Sequence, residues 1–127
     1  MGQLAAVLAL VAAAIHAYIF VLEAVWWTSP RGRAVFGTTE TEAAATRQLA
    51  FNQGFYNLFL AVIATVGAIT LLSGATTIGS TLLAAGCGSM LAAGLVLVVS
   101  DRTKTRPALV QLGAPLLALV ALAISAR

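Results

Sequence analysis

Charge is the scarcest feature of this 127-residue sequence, and its scarcity decides the class of protein. Only 9% of the residues are charged and 61% are hydrophobic. A soluble globular domain carries about a quarter charged residues and fewer than half apolar ones. The mean hydropathy of +1.00 points in the same direction. The composition therefore excludes an ordinary soluble domain and indicates a protein embedded in lipid.

Reactive and metal-binding residues are almost as scarce. The one cysteine, Cys87, can form neither an intrachain disulfide nor a cysteine metal cluster. There is no Ser-His-Asp set, no phosphate-binding loop and no haem-type histidine pair. His16 and Glu23 would lie about 10 Å apart along a helix, too far for one zinc ion with ligand distances near ~2 Å. We therefore expect no metal and no cofactor.

Positive charge is small in amount and confined to a few places. The net charge is +3, and the seven Lys and Arg residues fall almost entirely in two short segments. Such clustering is typical of signals that orient a chain in a membrane. Nucleic acid is not an expected partner.

Four apolar runs are long enough to cross a bilayer as helices, which takes about 20 residues. They cover residues 4–27, 48–72, 78–99 and 108–126. Ser29-Pro30 and Ser73-Gly74 end the first two, and Pro107 opens the fourth at a first-turn position. The sequence predicts an all-α fold with a single transmembrane domain over residues 1–127, built as a four-helix transmembrane bundle.

The loops between the runs differ in charge. Segment 28–47 carries Arg31, Arg33 and Arg47, segment 100–107 carries Arg102, Lys104 and Arg106, and the loop between spans two and three carries no charge. The positive-inside rule places both basic segments in the cytoplasm and both termini outside, an N-out/C-out topology. Within segment 28–47, Thr39 and Glu42 match a capping box, which predicts a helix start there.

Small residues in span three predict close helix packing. Ala84, Gly88 and Ala92 are spaced four apart, and such small-xxx-small pairs let two helices approach closely. We expect this face to meet a neighbouring helix.

The few polar residues of the spans recur at related depths. His16 and Glu23 are seven residues apart and return to nearly the same helix face. Span two contains two i,i+4 pairs, and span four carries one amide about four residues in. Because a charge in hydrocarbon costs ~2.5–3.5 kcal/mol, we expect all of them to point inward into one layer. The predicted ligand-binding residues are His16, Glu23, Asn52, Gln53, Tyr56, Asn57 and Gln111.

A purely structural interpretation competes with this site. Buried amides in bundles often serve only as interhelical hydrogen bonds, worth ~0.6 kcal/mol on average. Tyr56 has a ready explanation as a packing residue. His16 is explained equally well if one ring nitrogen bonds a backbone carbonyl. Glu23 differs, because an amide would join helices at lower cost, and an ionisable residue in a membrane is a functional candidate by default.

Three stretches carry a resemblance to a known family. "HAYIFVLEAVWW", "FNQGFYNLFLA" and "QLGAPLLAL" resemble the family of small bacterial integral membrane proteins called domain of unknown function 1304. The resemblance covers almost the whole chain. It implies a four-span protein of the bacterial inner membrane whose shared polar residues are the seven named above, and it implies no activity.

Three kinds of function remain open. The first is binding or transport of a small or lipid-like ligand, with Glu23 as proton or cation acceptor; transport would need access from both sides, through a homodimer. The second is a cofactor-independent isomerase or epimerase acting on a lipid, isoprenoid or quinone-like substrate, with His16 and Glu23 as acid and base. The third is an accessory subunit of a larger membrane complex. Membrane lipid is an expected partner in each case.

Overall fold

Helices make up all the regular structure of the protein. The computed structural model describes residues 1–127 and contains no strand, which confirms the predicted all-α class. Its elements are α1 (Gly2–Phe20), a π-helical turn (Val21–Val25), α2 (Pro30–Phe36), α3 (Glu40–Leu72), α4 (Thr76–Ser100), a 3-10 turn (Arg102–Lys104) and α5 (Thr105–Ser125).

The long helices form an antiparallel four-membered bundle. Helix α1 packs against α3 and α5, and α4 packs against the same two helices from the opposite corner, so that α1 and α4 hardly touch. Four helical stretches are long and apolar enough to cross a membrane: Gly2–Val25, Glu40–Leu72, Thr76–Ser100 and Arg102–Ser125. The predicted four-helix transmembrane fold is confirmed, and the chain is a multi-pass membrane protein.

Alanine brings the helices close together. The buried cluster at the bundle centre consists mainly of alanines from α1, α3 and α5, completed by Leu83, Cys87 and Met90 of α4. Along α1 the buried positions Ala5, Ala9, Ala12, His16 and Ile19 alternate in steps of four and three. This 3.5-residue period is the seam of a left-handed coiled coil. Small side chains at such a seam permit close contact where no water drives the helices together.

The contact face of α4 is not the face expected from its small-xxx-small pairs. An added Cβ at Gly86 would lie 3.0 Å from the backbone nitrogen of Ala64, whereas one at Gly88 would have no neighbour within 4 Å. Ala84 and Ala92 are exposed. The predicted packing through Gly88 is therefore wrong within this chain. Helix α4 is apolar on every face, so its hydrophobic pattern does not reveal which stripe of small residues is buried.

The capping box predicted at Thr39 and Glu42 is confirmed. Glu42 N–H donates to Thr39 Oγ1 over 3.2 Å, and Thr39 N–H donates to Glu42 Oε2 over 2.8 Å. Helix α3 therefore begins at residue 40 and not near residue 48. Its 33 residues measure about 50 Å at ~1.5 Å per residue, against ~30 Å of hydrocarbon. The N-terminal part of α3 thus projects beyond the bilayer core.

Both basic segments meet at one end of the bundle. The Lys104 ammonium group donates a hydrogen bond to the carbonyl of Phe36 at the end of α2. Helix α2 is anchored in turn to α1, because Arg31 Nε donates to the Tyr18 hydroxyl over 2.8 Å. At the opposite end, α3 and α4 are joined by a short turn in which Gly74 takes a positive φ of 94°. The N-out/C-out direction stays a prediction.

Candidate functional site

Glu23 lies in the one π-helical turn of the structure. The turn is closed by the Trp26 N–H, which donates to the Val21 carbonyl five residues back over 2.9 Å. A π-helical turn holds one residue more than the α-helix around it and occurs frequently at functional sites. This turn packs against α3. The backbone irregularity and the one carboxylate of the first span therefore fall at the same place.

Asn57 of α3 fixes the Glu23 carboxylate. Its amide nitrogen Nδ2 donates to Glu23 Oε2 over 2.8 Å and to the Gln53 carbonyl over 3.2 Å. Both partners are acceptors, so the amide orientation is determined by the contacts themselves. Asn57 Oδ1 and Glu23 Oε1 receive no hydrogen bond from the protein. When Glu23 is ionised, the pair thus presents two oxygen acceptors and no donor.

Gly54 allows the two helices to meet at this point. A Cβ added there would lie 3.0 Å from the backbone nitrogen of Ala24 and 3.2 Å from the Glu23 Cβ. Glycine at this position therefore lets the first span approach α3 closely. Gly54, about one helical turn before Asn57, thus makes room for the contact between Glu23 and Asn57.

Aromatic rings continue the site along the same two helices. Phe20 precedes Glu23 by three residues and packs edge-on against Phe55, with 5.2 Å between the ring centroids. Phe51 and Phe59 extend this cluster along α3, at 5.0 and 6.3 Å from Phe55. These rings lie on the two helices that carry Glu23 and Asn57, and aromatic rings can contact an organic cation or a hydrocarbon.

His16 is completely buried one heptad before Glu23. Its Nδ1 lies 2.9 Å from the carbonyl of Ala12, as expected for a backbone-bonded histidine. Because a carbonyl only accepts, Nδ1 carries a proton and donates this bond. Nε2 is buried without a hydrogen-bond partner in the chain. No hydrogen bond joins His16 to Glu23, so the two predicted acid–base residues are separately held.

Three of the predicted residues lie on the outer surface of α3. Asn52 and Gln53 are exposed, and Tyr56 is 63% exposed. The expectation that they point into the bundle is wrong for this chain. The buried seam of α3 runs through Ala50, Gly54 and Ala61, and Asn52 and Tyr56 fall on the opposite side. Asn52 and Gln53 lie near the level where the projecting helix enters hydrocarbon, so exposure there leaves their amides within reach of water and headgroups.

Gln111 belongs to a different part of the molecule. It lines a cavity bounded by α1, α2 and α5, together with Tyr18 and Arg31. The predicted single polar layer is therefore corrected: the structure joins Glu23 with Asn57, buries His16 separately, exposes the other α3 residues and places Gln111 elsewhere. The cavity residues Arg31, Lys104 and Arg106 were interpreted only as topology signals. No local motif links them, because they come from segments about 70 residues apart in the chain.

A family match covers nearly the whole chain. The family model described as "Protein of unknown function (DUF1304)" matches residues 10–123. The chain belongs to this family. The matched region contains all seven predicted site residues, and the resemblance seen in the sequence is confirmed. No curated protein and no solved structure matches the chain.

Membership of this family implies no chemistry, so the candidate site is argued from the structure. No group of three or more His, Cys, Asp or Glu side chains lies close enough together to hold a metal ion. The strongest candidate site in this family member is therefore the Glu23–Asn57 pair, with its aromatic neighbours and two free oxygen acceptors.

Proposed function

We propose that this protein binds a small or lipid-like ligand within the membrane, with Glu23 as the proton or cation acceptor. The observation that carries the proposal is the Glu23–Asn57 hydrogen bond of 2.8 Å between two membrane-spanning helices. Glu23 sits in a π-helical turn, half-buried, and has no other partner on its carboxylate.

A carboxylate is a costly way to join two helices. Placing it in the membrane costs up to ~2.5–3.5 kcal/mol at the centre of a span and less near the span end where Glu23 lies, whereas an interhelical hydrogen bond returns only ~0.6 kcal/mol on average. Glutamine at position 23 could accept the same bond from Asn57 without carrying a charge. The ionisable group therefore supports a role in which Glu23 gains and loses a proton or meets a cation.

The groups around Glu23 indicate the chemistry of the ligand. Glu23 Oε1 and Asn57 Oδ1 can accept hydrogen bonds, and the Phe20–Phe55 pair lies on the same two helices. Carboxylates and aromatic faces together favour ammonium-type groups. We infer a ligand with a cationic or hydrogen-donating head and an apolar body, bound in the cytoplasmic half of a bacterial inner membrane.

The structure of a single chain supports ligand binding but not transport. The bundle centre beyond His16 is filled by alanines such as Ala5, Ala9 and Ala64, which offer no polar groups to a passing ion. Transport would therefore require a second copy of the chain, with the path formed between the two.

Proton release on ligand binding tests the proposal. The purified protein in lightly buffered detergent is mixed with tetraphenylphosphonium, an apolar cation, while bound cation and released protons are measured. We expect wild-type protein and the exposed control Glu40→Gln to bind the cation and release protons, and Glu23→Gln to release none. Equal release from both variants, or no binding by the wild-type protein, would count against Glu23 as the acceptor.

One observation favours the accessory-subunit alternative. Asn52 and Tyr56 form an exposed polar strip on α3, and a partner helix would cover such a strip. In that case Glu23→Gln would leave cation binding unchanged, while Asn52→Leu would release the partner. The enzyme alternative needs His16 and Glu23 at one substrate, and their separate hydrogen bonds give it no comparable support.

A further inference from the structure

The cavity lined by Gln111 is separate from the Glu23–Asn57 pair, neither of whose residues lines it. It has a volume of about 670 Å³ and lies between the last turns of α1, helix α2 and the start of α5. Ile15, Ile19, Leu22 and Val110 form its apolar side. A cavity of this size falls within the range of small-molecule binding sites.

The charged residues of this cavity are all positive. Arg31 comes from α2, Lys104 from the 3-10 turn and Arg106 from the first turn of α5, and no Asp or Glu lines the cavity. These are three of the seven cations of the chain. The positive-inside rule requires only that basic residues lie in the cytoplasmic loops. It does not require that basic residues from separate segments line the same cavity, as they do here.

The hydrogen bonds of these cations leave their charge unneutralised. Arg31 Nε donates to the neutral Tyr18 hydroxyl, and the Arg31 guanidinium lies 5.8 Å from the centre of the Tyr18 ring. Lys104 donates to the neutral carbonyl of Phe36. Tyr18 orients Arg31 at the cavity and leaves its other N–H groups available, because a guanidinium has five donors.

The two acidic neighbours of Lys104 are both occupied by other groups, Glu42 by the Thr39 N–H and Asp101 by Thr103. Asp101 accepts hydrogen bonds from the side chain and the backbone N–H of Thr103. These bonds hold the pKa of Asp101 below its usual value, and the charge of Lys104 adds a smaller effect in the same direction. Asp101 therefore remains ionised and weakens the field of Lys104, but it does not line the cavity, where Arg31 and Arg106 are unopposed.

We propose that this cationic cavity, defined by Arg31, Lys104 and Arg106 above the apolar side formed by Ile15, Ile19 and Val110, binds the phosphate group of an anionic amphiphile. Arginine forms bidentate hydrogen bonds with phosphate. The cations sit at the end of the bundle where headgroups lie, and the apolar side continues along α1 and α5 toward hydrocarbon. The shared chemistry is a phosphate monoester or diester, supplied either by a membrane phospholipid or by a soluble phosphate ester.

Matched arginine variants test the cavity. The double variant Arg31→Gln/Arg106→Gln removes one cation from each basic segment, both at the cavity. The control Arg47→Gln/Arg102→Gln also removes one from each segment, but neither residue lines the cavity. The two variants change net charge and loop charge equally. Lys104 stays in place in both, because it holds the end of α2.

Delipidated protein in neutral detergent is titrated with dioleoyl phosphatidylglycerol or dioleoyl phosphatidylcholine, and bound lipid is counted by native mass spectrometry. We expect phosphatidylglycerol to bind the wild-type protein and the control with similar affinity. Binding to the cavity variant should be at least about tenfold weaker, since hydrogen bonds to charged groups contribute more than the ~1.4 kcal/mol that makes a tenfold change. Thermal unfolding checks that both variants are folded.

Competition distinguishes the two sources of phosphate. If millimolar glycerol phosphate displaces the lipid from wild-type protein, a soluble phosphate ester is the ligand class; if it does not, the acyl chains are required and the ligand is a phospholipid. Equal loss of phosphatidylglycerol binding in both double variants would overturn the proposal. Equal binding of phosphatidylcholine and phosphatidylglycerol to the wild-type protein would also overturn it. Neither result depends on Glu23, so this test and the proton-release test fail independently.

Discussion

Single residues decide which parts of the polar stretch in α3 matter to the bundle. Asn57 reaches another helix through its amide nitrogen, whereas Asn52 lies on the outer surface. The two have the same chemistry and differ only in their angle around the helix axis. Asn57 is about 60° from buried Gly54 at ~100° per residue, and Asn52 is about 160° away.

This angular difference gives a residue-scale prediction. Asn57→Leu removes the donor to Glu23 and should lower the free energy of unfolding by ~0.6–1.7 kcal/mol, between the average and the largest value for an interhelical hydrogen bond in a membrane bundle. Asn52→Leu should change it by less than ~0.5 kcal/mol, as is usual for surface sites. Unfolding of both variants by a denaturing detergent in mixed micelles measures the difference.

A second substitution, at Glu23, tests whether Asn57 stabilises the protein through its hydrogen bond to Glu23. Combined with Glu23→Gln, Asn57→Leu should cost less than it does alone, because a neutral amide tolerates a lost partner better than a carboxylate does. The expected coupling is ~0.5–3 kcal/mol. Additive costs would show that Asn57 stabilises the fold through some other contact.

The contacts of single residues were among the parts of the structure that the sequence predicted least well. The sequence predicted that Glu23 lies among the amides of span two, and one of those amides, Asn57, does bond it. It did not predict which amide, since it assigned the polar side of the span to the interior, whereas the buried seam follows small residues such as Ala50, Gly54 and Ala61. Gln111 shows the same difficulty. It lies near the basic end of the bundle, as expected, but its neighbours are Tyr18 and Arg31 and not Glu23.

At the scale of elements, glycine positions control how closely helices approach. Gly54 faces the backbone of Ala24, Gly86 faces Ala64, and Gly88 faces open space. The four spans followed from length and hydropathy alone, since crossing hydrocarbon requires about 20 apolar residues. Their mutual contacts did not, because small residues occur on more than one face of α4.

Gly54 and Gly88 provide a matched pair for the element scale. Gly54→Ala places a methyl group 3.0 Å from the backbone nitrogen of Ala24, and such overpacking typically costs ~1–3 kcal/mol. Gly88→Ala meets no neighbour and should leave the protein unchanged or more stable by up to ~1 kcal/mol, since alanine favours helix. Thermal unfolding in one detergent compares them. Similar melting temperatures would mean that α1 can shift away from α3 without loss.

The irregular elements were the hardest to anticipate. Helix α2 was expected as part of a loop, although Ser29 and Pro30 match a helix start: the Ser29 hydroxyl accepts from the Gly32 N–H over 3.2 Å. The π-helical turn at Val21–Val25 has no local sequence signature. It packs against α3 near Gly54, a contact that exists only in the folded bundle.

For the whole molecule, the grouping of both basic segments at one end sets the orientation to be tested. Glu40 lies at that end, and Thr76 lies at the other. By the positive-inside rule, Glu40 faces the cytoplasm and Thr76 the outside. The two positions are exposed, which makes them suitable for chemical labelling.

Cysteine labelling measures the orientation directly. In intact cells, Thr76→Cys should react with a membrane-impermeant thiol reagent, and Glu40→Cys should react only after the membrane is opened. The unchanged chain is the control, because its Cys87 is buried in the bundle and should not react. The reverse pattern would establish N-in/C-in topology, and it would place Glu23 and the cationic cavity at the outer face.

The distribution of polar contacts also bears on how the chain assembles while it is being made. Trp27 Nε1 donates to Thr46 Oγ1, and Asn57 donates to Glu23, so the bonds between the first two spans are available once residue 57 has been synthesised. The one side-chain hydrogen bond from the second half of the chain to the first is Lys104 to Phe36. Nascent chains fold from the N-terminus. The first helical hairpin can therefore fix its register before the second emerges, and the second joins it through packing and the single Lys104–Phe36 hydrogen bond.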